Sequence, residues 1–324
     1  MSINTLQTEK AFVLVLLFLS ITNAVNAQTK VKSDLDYRDL KGPVKKIRSH
    51  IYDISDSTGK QEKVWVYSET ELFNKAGNYI YDKDVQAKTY FNDSTHYTYD
   101  SLQNLVVEEV FEEHNVLEKR VVSTYNQNRQ TLTEMQLEYD VDDDSGQITD
   151  TFIHTDRYTY NDLNLTDEIW RSALQSDGTI GPYRLYIKNV YEDSGRICYQ
   201  YEYRSSENPA VADTSYTRKN NAGQVVKSYN SQTSFLDFYD SLGRIIKLSS
   251  LMLRTDSVYN HIVFTYDKWG NKNSTTTYDN SGKIIGAMST STFYDIDRRG
   301  NWRKVKGYRG GKLTYYCERK IEYY

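Results

Sequence analysis

The segment RRGNWRKVKGYRGGK, residues 298–312, carries the residue types best suited to gripping a charged ligand. Seven of its 15 residues are basic and none is acidic. Cations interleaved with aromatic rings favour a polyanion, and the alternative is a solvated terminal hairpin that offsets the acidic middle of the chain. The candidate ligand-binding residues are Trp302, Arg303, Lys304, Lys306, Tyr308, Arg309 and Lys312, together with Trp269 beside an earlier turn glycine.

Two acidic segments could hold a metal ion. The stretch Glu108–Asn115 packs four carboxylates and His114 into seven residues, but in a strand these side chains divide between two faces. The stretch Asp140–Gln147 resembles a calcium loop, yet Ser145 stands where such a loop needs glycine and Thr151 where it needs glutamate. We therefore expect an acidic turn here, and no bound metal at either segment.

Motifs for catalysis are missing from the sequence. It contains neither a Gly-x-Ser-x-Gly elbow nor a His-Glu-x-x-His pair. We expect no enzymatic activity and no cofactor. A hydrolase that uses two of the 44 acidic residues is the enzymatic alternative, and the sequence nominates no pair for it.

The N-terminus has the pattern of an export signal. The apolar run 11–21 follows Lys10 and leads to the small residues of AVNA, so we expect cleavage after Ala27, with Ala24 as the alternative. The run is too short to cross a membrane, which takes about 20 apolar residues, and no later run is long enough. We expect residues 1–27 to be a signal peptide and residues 28–324 to form one exported domain, whether periplasmic, at the cell surface or secreted.

Composition limits the class of protein. The net charge of −4 gives no overall attraction to nucleic acid. A hydrophobic content of 38% predicts a thin core and an extended, surface-rich architecture. Tyrosine outnumbers phenylalanine by 30 to 10, which favours strands with one half-wet face.

One short unit recurs twelve times: an aromatic residue, then Asp, Asn or Glu, two variable residues and Gly. In a type I turn the Asx side chain bonds the backbone ahead of it, and the glycine adopts a left-handed conformation. Gln103 and Arg129 replace that glycine at a cost of about 1 kcal/mol, so we expect another geometry in those two turns. The units begin at Phe73, Tyr191, Tyr239, Tyr266 and Tyr278, in degenerate form at Tyr99, Tyr125, Tyr160 and Lys219, and in longer form at Tyr52, Tyr139 and Tyr294.

Between these turns the side chains alternate with period two. In TEMQLEYD, Met135 and Leu137 share one face and Glu134 and Gln136 the other. This pattern predicts an all-β protein made of successive antiparallel hairpins. If the apolar face is the inner one, the alternation also places Cys198 and Cys317 on opposite faces, which argues against the disulfide that two cysteines in an exported chain would suggest.

The stretches FTYDKWGNK, DFYDSLGRIIK and VYEDSGRICY resemble the YD repeat of Rhs-type proteins, Tyr-x-Tyr-Asp-x-x-Gly-Arg followed by an apolar strand. The C-terminal stretch also resembles exported repeat proteins of Bacteroidota-type bacteria. The resemblance implies a long β-sheet that curves or spirals, and either carbohydrate binding or encapsulation of a toxin. Because no domain follows the repeats, we expect binding without encapsulation.

We expect a non-catalytic binding protein of the cell envelope, with a carbohydrate or another polyanion as its ligand. The alternative is a structural partner of an envelope or secretion assembly that docks an envelope protein through exposed strand edges.

Overall fold

The computed structural model describes residues 33–38, 40–56, 60–87, 93–112, 116–141, 148–175, 179–203, 213–230, 233–252, 257–286 and 288–324. The expected signal peptide 1–27 lies outside these residues, as do His114 and most of the acidic stretch Asp140–Gln147. No helix among the described residues is long and apolar enough to span a membrane.

The described chain consists almost entirely of strands, as the period-two pattern predicts. One short helix, α1 (Asp34–Tyr37), precedes them, and a 3₁₀ turn occupies Asp193–Gly195. The strands are β1 (Val44–Asp56), β2 (Gln61–Phe73), β3 (Tyr79–Gln86), β4 (Ser94–Tyr99), β5 (Leu105–Phe111), β6 (Leu117–Tyr125), β7 (Thr131–Val141), β8 (Ile148–Tyr160), β9 (Thr166–Ala173), β10 (Arg184–Glu192), β11 (Ile197–Glu202), β12 (Asp213–Lys219), β13 (Val225–Tyr229), β14 (Ser234–Tyr239), β15 (Ile245–Leu251), β16 (Val258–Tyr266), β17 (Lys272–Asp279), β18 (Ser289–Ile296), β19 (Trp302–Arg309) and β20 (Lys312–Tyr323).

The sheet closes on itself. Each strand pairs antiparallel with the next one along the chain, and β20 also pairs with β1, from Val44 opposite Tyr323 to Asp53 opposite Tyr315. The result is a closed, 20-stranded antiparallel barrel, which we call the ring. The expectation of an open, extended or spiralling sheet is therefore wrong, because closure gives the first and last strands a partner and removes the sheet edges.

The two ends of the ring differ. At one end, the turn rim, nine tight turns join each even-numbered strand to the next, at residues 74–77, 100–103, 126–129, 161–164, 193–195, 220–223, 240–243, 267–270 and 297–300. At the other end, the loop rim, the connections vary in length. The irregular spacing of the repeat unit follows, because two successive turns are separated by two strands and one variable loop.

Three copies of the repeat unit depart from this arrangement. The turn at 279–282 lies in the connection between β17 and β18, at the loop rim, so the neighbouring units YDKWG and YDNSG face opposite ends of the ring. The longer units that begin at Tyr52 and Tyr139 start inside β1 and β7 and form no such turn among the described residues.

The turns have the predicted geometry. In the turn 267–270, Asp267 Oδ1 accepts hydrogen bonds from the backbone N–H groups of Trp269 and Asn271, both at 2.9 Å, and Gly270 has φ +96°. Gln103 and Arg129 adopt the same left-handed conformation, each with φ 64°. The expectation of another geometry there is wrong, because the same Asx hydrogen bonds, accepted by the side-chain oxygens of Asp100 and Asn126, hold those turns despite the strain.

The repeat tyrosine has a second role that alternation alone does not reveal. Its hydroxyl donates a hydrogen bond to the backbone carbonyl located two residues after the preceding turn's left-handed residue. Within the described part of the chain this contact occurs five times, from Tyr125 to Leu105, Tyr160 to Thr131, Tyr191 to Thr166, Tyr239 to Val225 and Tyr266 to Ile245, at 2.6–2.8 Å. Each tyrosine therefore ties its hairpin to the previous one, and we call the set the tyrosine ladder.

The register divides the side chains of the ring between two walls. One wall carries Glu69, Glu71, Asp82 and Asp84 on β2 and β3, and we call it the acidic wall. Following the register around the ring places both cysteines on this wall, Cys198 opposite Thr217 and Cys317 opposite Val305. The prediction that they point to opposite faces is wrong, because neither wall is uniformly apolar; both are free thiols.

The core is thin, in line with the low hydrophobic content. Leu35, Val44, Ile47 and Phe73 form its buried cluster, at the junction of α1 with β1 and β2. Among the described residues, 11 buried side chains are polar or charged and nine are apolar. The described residues 33–38 and 40–43, which we call the strap, lie along the turn rim above this cluster.

Two contacts anchor the strap. At one end, Asp34 accepts a hydrogen bond from the backbone N–H of Tyr79 at 2.6 Å. At the other end, the side-chain amide of Asn301 bonds the backbone N–H and C=O of Lys41, both at 2.8 Å. The strap therefore connects the turn before β3 to the turn before β19 across the closing strands.

Candidate functional site

A cluster of tyrosines and lysines lies on the wall opposite the acidic one, where the ring closes. Tyr52 of β1 stands opposite Tyr316 of β20, and Tyr316 stands opposite Lys306 of β19. Lys63 of β2 and Tyr294 of β18 complete the set, which we call the seam patch. Residues more than 250 positions apart in the chain meet here because β1 pairs with β20.

The cations of the seam patch lie over aromatic rings. Lys63 Nζ is 3.3 Å from the centroid of the Tyr316 ring and 5.4 Å from that of Tyr52. Lys306 Nζ is 5.6 Å from the centroid of Tyr294. The Tyr52 and Tyr294 rings lie 6.2 and 6.4 Å from Tyr316 on either side, so the three form a continuous aromatic layer beneath the ammonium groups.

A cleft of about 320 Å³ opens between these side chains. Ile54 and Leu313 supply apolar wall, and Lys63 and Lys306 supply the positive charge. The central ring is covered while the cation above it reaches solvent: Tyr316 is 5% exposed, whereas the Lys63 side chain is 48% exposed. The cleft therefore presents charge to a ligand more than it presents flat ring faces.

Glu318 is the acidic neighbour of the seam patch. Its carboxylate accepts a hydrogen bond from the Tyr316 hydroxyl at 2.6 Å and lies 3.4 Å from Lys63 Nζ. The Tyr316 hydrogen bond, helped by the charge of Lys63, lowers the pKa of Glu318. Burial and the same hydrogen bond raise the pKa of Tyr316. The glutamate therefore stays ionised and orients Lys63, leaving a net positive cleft.

Further basic side chains continue the patch along the same wall. Lys304 is two residues from Lys306 on β19, and Lys320 is two residues from Glu318 on β20. Arg48 stands opposite Lys320, and His50 stands opposite Glu318. The positive charge thus extends over β19, β20 and β1.

The structure divides the residues predicted from sequence. Lys306 belongs to the seam patch, and Lys304 and Tyr308 lie two residues before and after it on β19. Arg309 stands opposite Lys312 across the turn that joins β19 to β20. Arg303 forms an ion pair with Asp295 at 2.8 Å, and Lys304 Nζ lies 4.0 Å from the same carboxylate. The predicted segment therefore does not act as one uninterrupted cationic surface.

The two predicted tryptophans lie away from the seam patch. Trp302 is half-buried under the Arg319 guanidinium, 3.5 Å from the ring centroid, next to Phe293 of β18. Trp269 is 40% exposed at the turn rim, with Lys268 Nζ 4.2 Å from its ring centroid. Only Trp269 offers an accessible ring.

Sequence reasoning missed Tyr52, Lys63, Tyr294 and Tyr316. Each lies in a strand that looks ordinary on its own, and only the closing pair β1–β20 joins them. The one available signal was the presence of lysine or tyrosine at alternate positions of the first two and last three strands. That signal points to a shared site only once β1 is known to pair with β20.

A second charged cluster, on the acidic wall, has the donor set for a cation. Carboxylate oxygens of Glu69, Asp82 and Asp84 lie within 4.8 Å of one another, as hard cations prefer. Burial, reinforced by the charge of Glu69, raises the pKa of Asp82 to about 7 and that of Asp84 to about 6. Beside them Arg38 Nη2 binds the buried carboxylate of Glu71 at 2.8 Å.

Comparison with known proteins identifies no family. No family model matches the chain, and no curated protein matches it. Among solved structures, the chain is similar to TcdB2-TccC3-TEV, with 12% identity over 79% of this chain and a TM-score of 0.28. The chain spans only 16% of the length of that protein.

Two porin-like proteins are also similar to this chain. One from Bacteroides uniformis shares 14% identity over 87% of this chain and 99% of its own, with a TM-score of 0.30. One from Bacteroides vulgatus shares 11% over 85% of this chain and 97% of its own, with a TM-score of 0.21. Likenesses this distant establish neither a shared function nor a shared site.

Proposed function

We propose that the protein is an exported, non-catalytic binding protein of the Rhs-like, YD-repeat type, and that its ligand is an acidic glycan. One observation carries the proposal: Lys63 and Lys306 hold their ammonium groups over a layer of three tyrosines, beside an open cleft of about 320 Å³. The signal-like residues 1–27 support export to the envelope or beyond it.

The geometry favours a charged ligand over a neutral sugar. A neutral sugar binds by stacking on an exposed ring face, but Tyr316 is almost fully covered. An anionic group can instead reach Lys63 and Lys306 from solvent, where the rings beneath shield the cations from water on one side. Such charge-assisted contacts are about twice as strong as neutral hydrogen bonds.

The closed sheet argues against the alternative function, docking of an envelope protein through exposed strand edges. It requires a strand with a free edge, whereas every strand of the described chain has a partner on both sides. The seam patch favours a soluble polyanion instead.

Binding of acidic polysaccharides tests the proposal. Purified protein should bind polygalacturonate or dextran sulfate and should not bind neutral dextran, and binding should weaken as salt rises. The double variant Lys63→Gln, Lys306→Gln should bind about tenfold more weakly. Lys247→Gln is the matched control, because Lys247 also lies over an aromatic ring, that of Phe238, but far from the seam.

Two outcomes would overturn the proposal. One is the absence of binding to any acidic polymer at low salt. The other is equal binding by the double variant and the wild type, which would place any binding elsewhere on the ring. Turnover of the polymer would contradict the non-catalytic assignment.

A further inference from the structure

The repeat unit that begins at Lys219 lacks the ladder tyrosine, and a cleft lies at that place. Lys219 occupies the position directly before Asn220, where five other turns of the rim carry the tyrosine of the ladder. By the ladder's rule, a tyrosine at 219 would donate to the carbonyl of Ile197, two residues after Gly195. Lysine has no hydroxyl for this contact, and its backbone N–H bonds the carbonyl of Arg196 at 2.8 Å.

The cleft has a volume of about 520 Å³ and lies between the turns 193–195 and 220–223. Its polar lining includes Arg196, Arg218, Lys219 and Asn221, and Ala222 and Val226 add an apolar side. Three cations from two neighbouring strand pairs therefore line one opening at the turn rim.

Arg196 is held in place before any ligand arrives. Its Nη2 lies 2.7 Å from Asp193 Oδ1, and its Nη1 donates to the side-chain oxygen of Asn221 across the two turns. Among the residues that the structure describes, Asp193 is the carboxylate that pairs with Arg196, while the lining of the cleft holds three cations. Pre-positioned guanidinium groups with planar donor forks suit bidentate binding of an oxyanion.

We propose that this cleft is a second, independent binding site that takes an oxyanion: the carboxylate of an acidic sugar, or a sulfate or phosphate group. Arg196 and Arg218 donate to the oxygens, and Lys219 supplies the third charge. Lys219 stands where the ladder has its tyrosine, so here the repeat exchanges a structural contact for a binding group. The inference does not require a ligand at the seam patch.

Titration of the whole protein with sodium glucuronate, sulfate and phosphate, followed by isothermal calorimetry and amide chemical shifts, tests the site. We expect saturable binding with shifts centred on residues 193–196 and 218–222. Preference for glucuronate identifies a uronate ligand, and preference for sulfate or phosphate identifies an ester. Arg218→Gln should weaken binding about tenfold, equivalent to about 1.4 kcal/mol.

Lys219→Tyr separates binding from folding. This variant should lose the anion site and also melt at a higher temperature, because it restores the ladder contact to Ile197. A double variant at Lys63 and Lys306 should bind the small anions as the wild type does, which distinguishes this site from the seam patch. Unchanged binding in Lys219→Tyr, unchanged binding in Arg218→Gln, or no binding at millimolar anion would each overturn the proposal.

Discussion

The hydroxyl of Tyr239 donates a hydrogen bond of 2.7 Å to the backbone carbonyl of Val225, on the neighbouring strand. The contact joins two hairpins that the turns alone do not connect. Tyr239→Phe keeps the ring and removes only this bond, so we expect a loss of about 1 kcal/mol in the free energy of unfolding. Chemical denaturation measures this loss of stability.

The control for that variant is Tyr199→Phe. Tyr199 packs 5.2 Å from the Tyr216 ring but forms no ladder contact. We expect Tyr199→Phe to change the free energy of unfolding by less than Tyr239→Phe does. Equal effects of the two substitutions would show that the ladder bond contributes nothing specific.

The glycine of the turn 267–270 has a conformational role. Gly270 has φ +96°, and the nearest atom to an added Cβ would be Arg244 Nη1 at 3.8 Å, so space is available. We expect Gly270→Val to destabilise the protein by about 2 kcal/mol, because a β-branched residue resists the left-handed conformation. Gly270→Asn should cost less, since Asn164 adopts φ 58° at the equivalent position. Thermal melting of both variants tests this, and equal stability of Gly270→Val and the wild type would contradict it.

A substitution at Asn301 tests whether this residue anchors the strap. Its buried amide, 3% exposed, bonds both backbone groups of Lys41. Asn301→Ala leaves those groups unsatisfied, so we expect a loss of about 1–3 kcal/mol in the free energy of unfolding and faster hydrogen exchange in the strap. Asn271→Ala is the matched control, because Asn271 has the same place in its own turn without contacting the strap. Unaltered exchange in the strap would show that Asn301 does not anchor it.

The acidic wall predicts how stability depends on pH. The pKa of Asp82 is raised to about 7 by burial and by the charge of Glu69, above its value of about 3.9 in an unfolded chain. The fold therefore disfavours the charged form, and stability should fall as pH rises from about 4 to about 7 and then level off. We expect Asp82→Asn to melt at a higher temperature than the wild type at pH 8, with the difference shrinking at pH 5.

Glu109→Gln serves as the control for that variant. Glu109 lies on the opposite wall, 3.5 Å from Arg120, so its neutralisation removes an ion pair and should not raise the melting temperature. A melting temperature of Asp82→Asn that is no higher than that of the wild type at pH 8 would show that the Asp82 charge is tolerated.

Much of the architecture was predictable because it is local. The Asx hydrogen bonds of Asp267 and the left-handed φ of Gly270 involve residues within one turn, and the alternation in β7 needs only the pleat of one strand. Gln103 and Arg129 show the limit of such reasoning. Their strain is local and visible in the sequence, but the Asx hydrogen bonds accepted by Asp100 and Asn126 hold the left-handed conformation despite it.

The candidate sites were predictable only in part for the same reason. Lys306 belongs to the segment singled out from sequence, whereas Lys63 and Tyr52 join it only through the pairing of β1 with β20. Likewise, the cleft beside Lys219 depends on how two turns stand next to each other on the rim.

By itself, the sequence determined the all-β class, the antiparallel hairpins, the turn chemistry and the thin core, since each depends on neighbours a few residues apart. Only the tertiary structure decided that the sheet is closed, that both cysteines share a wall and that the cations of the seam patch converge. Those properties depend on the registers of all the strands around the ring taken together, and they cannot be read from any single repeat.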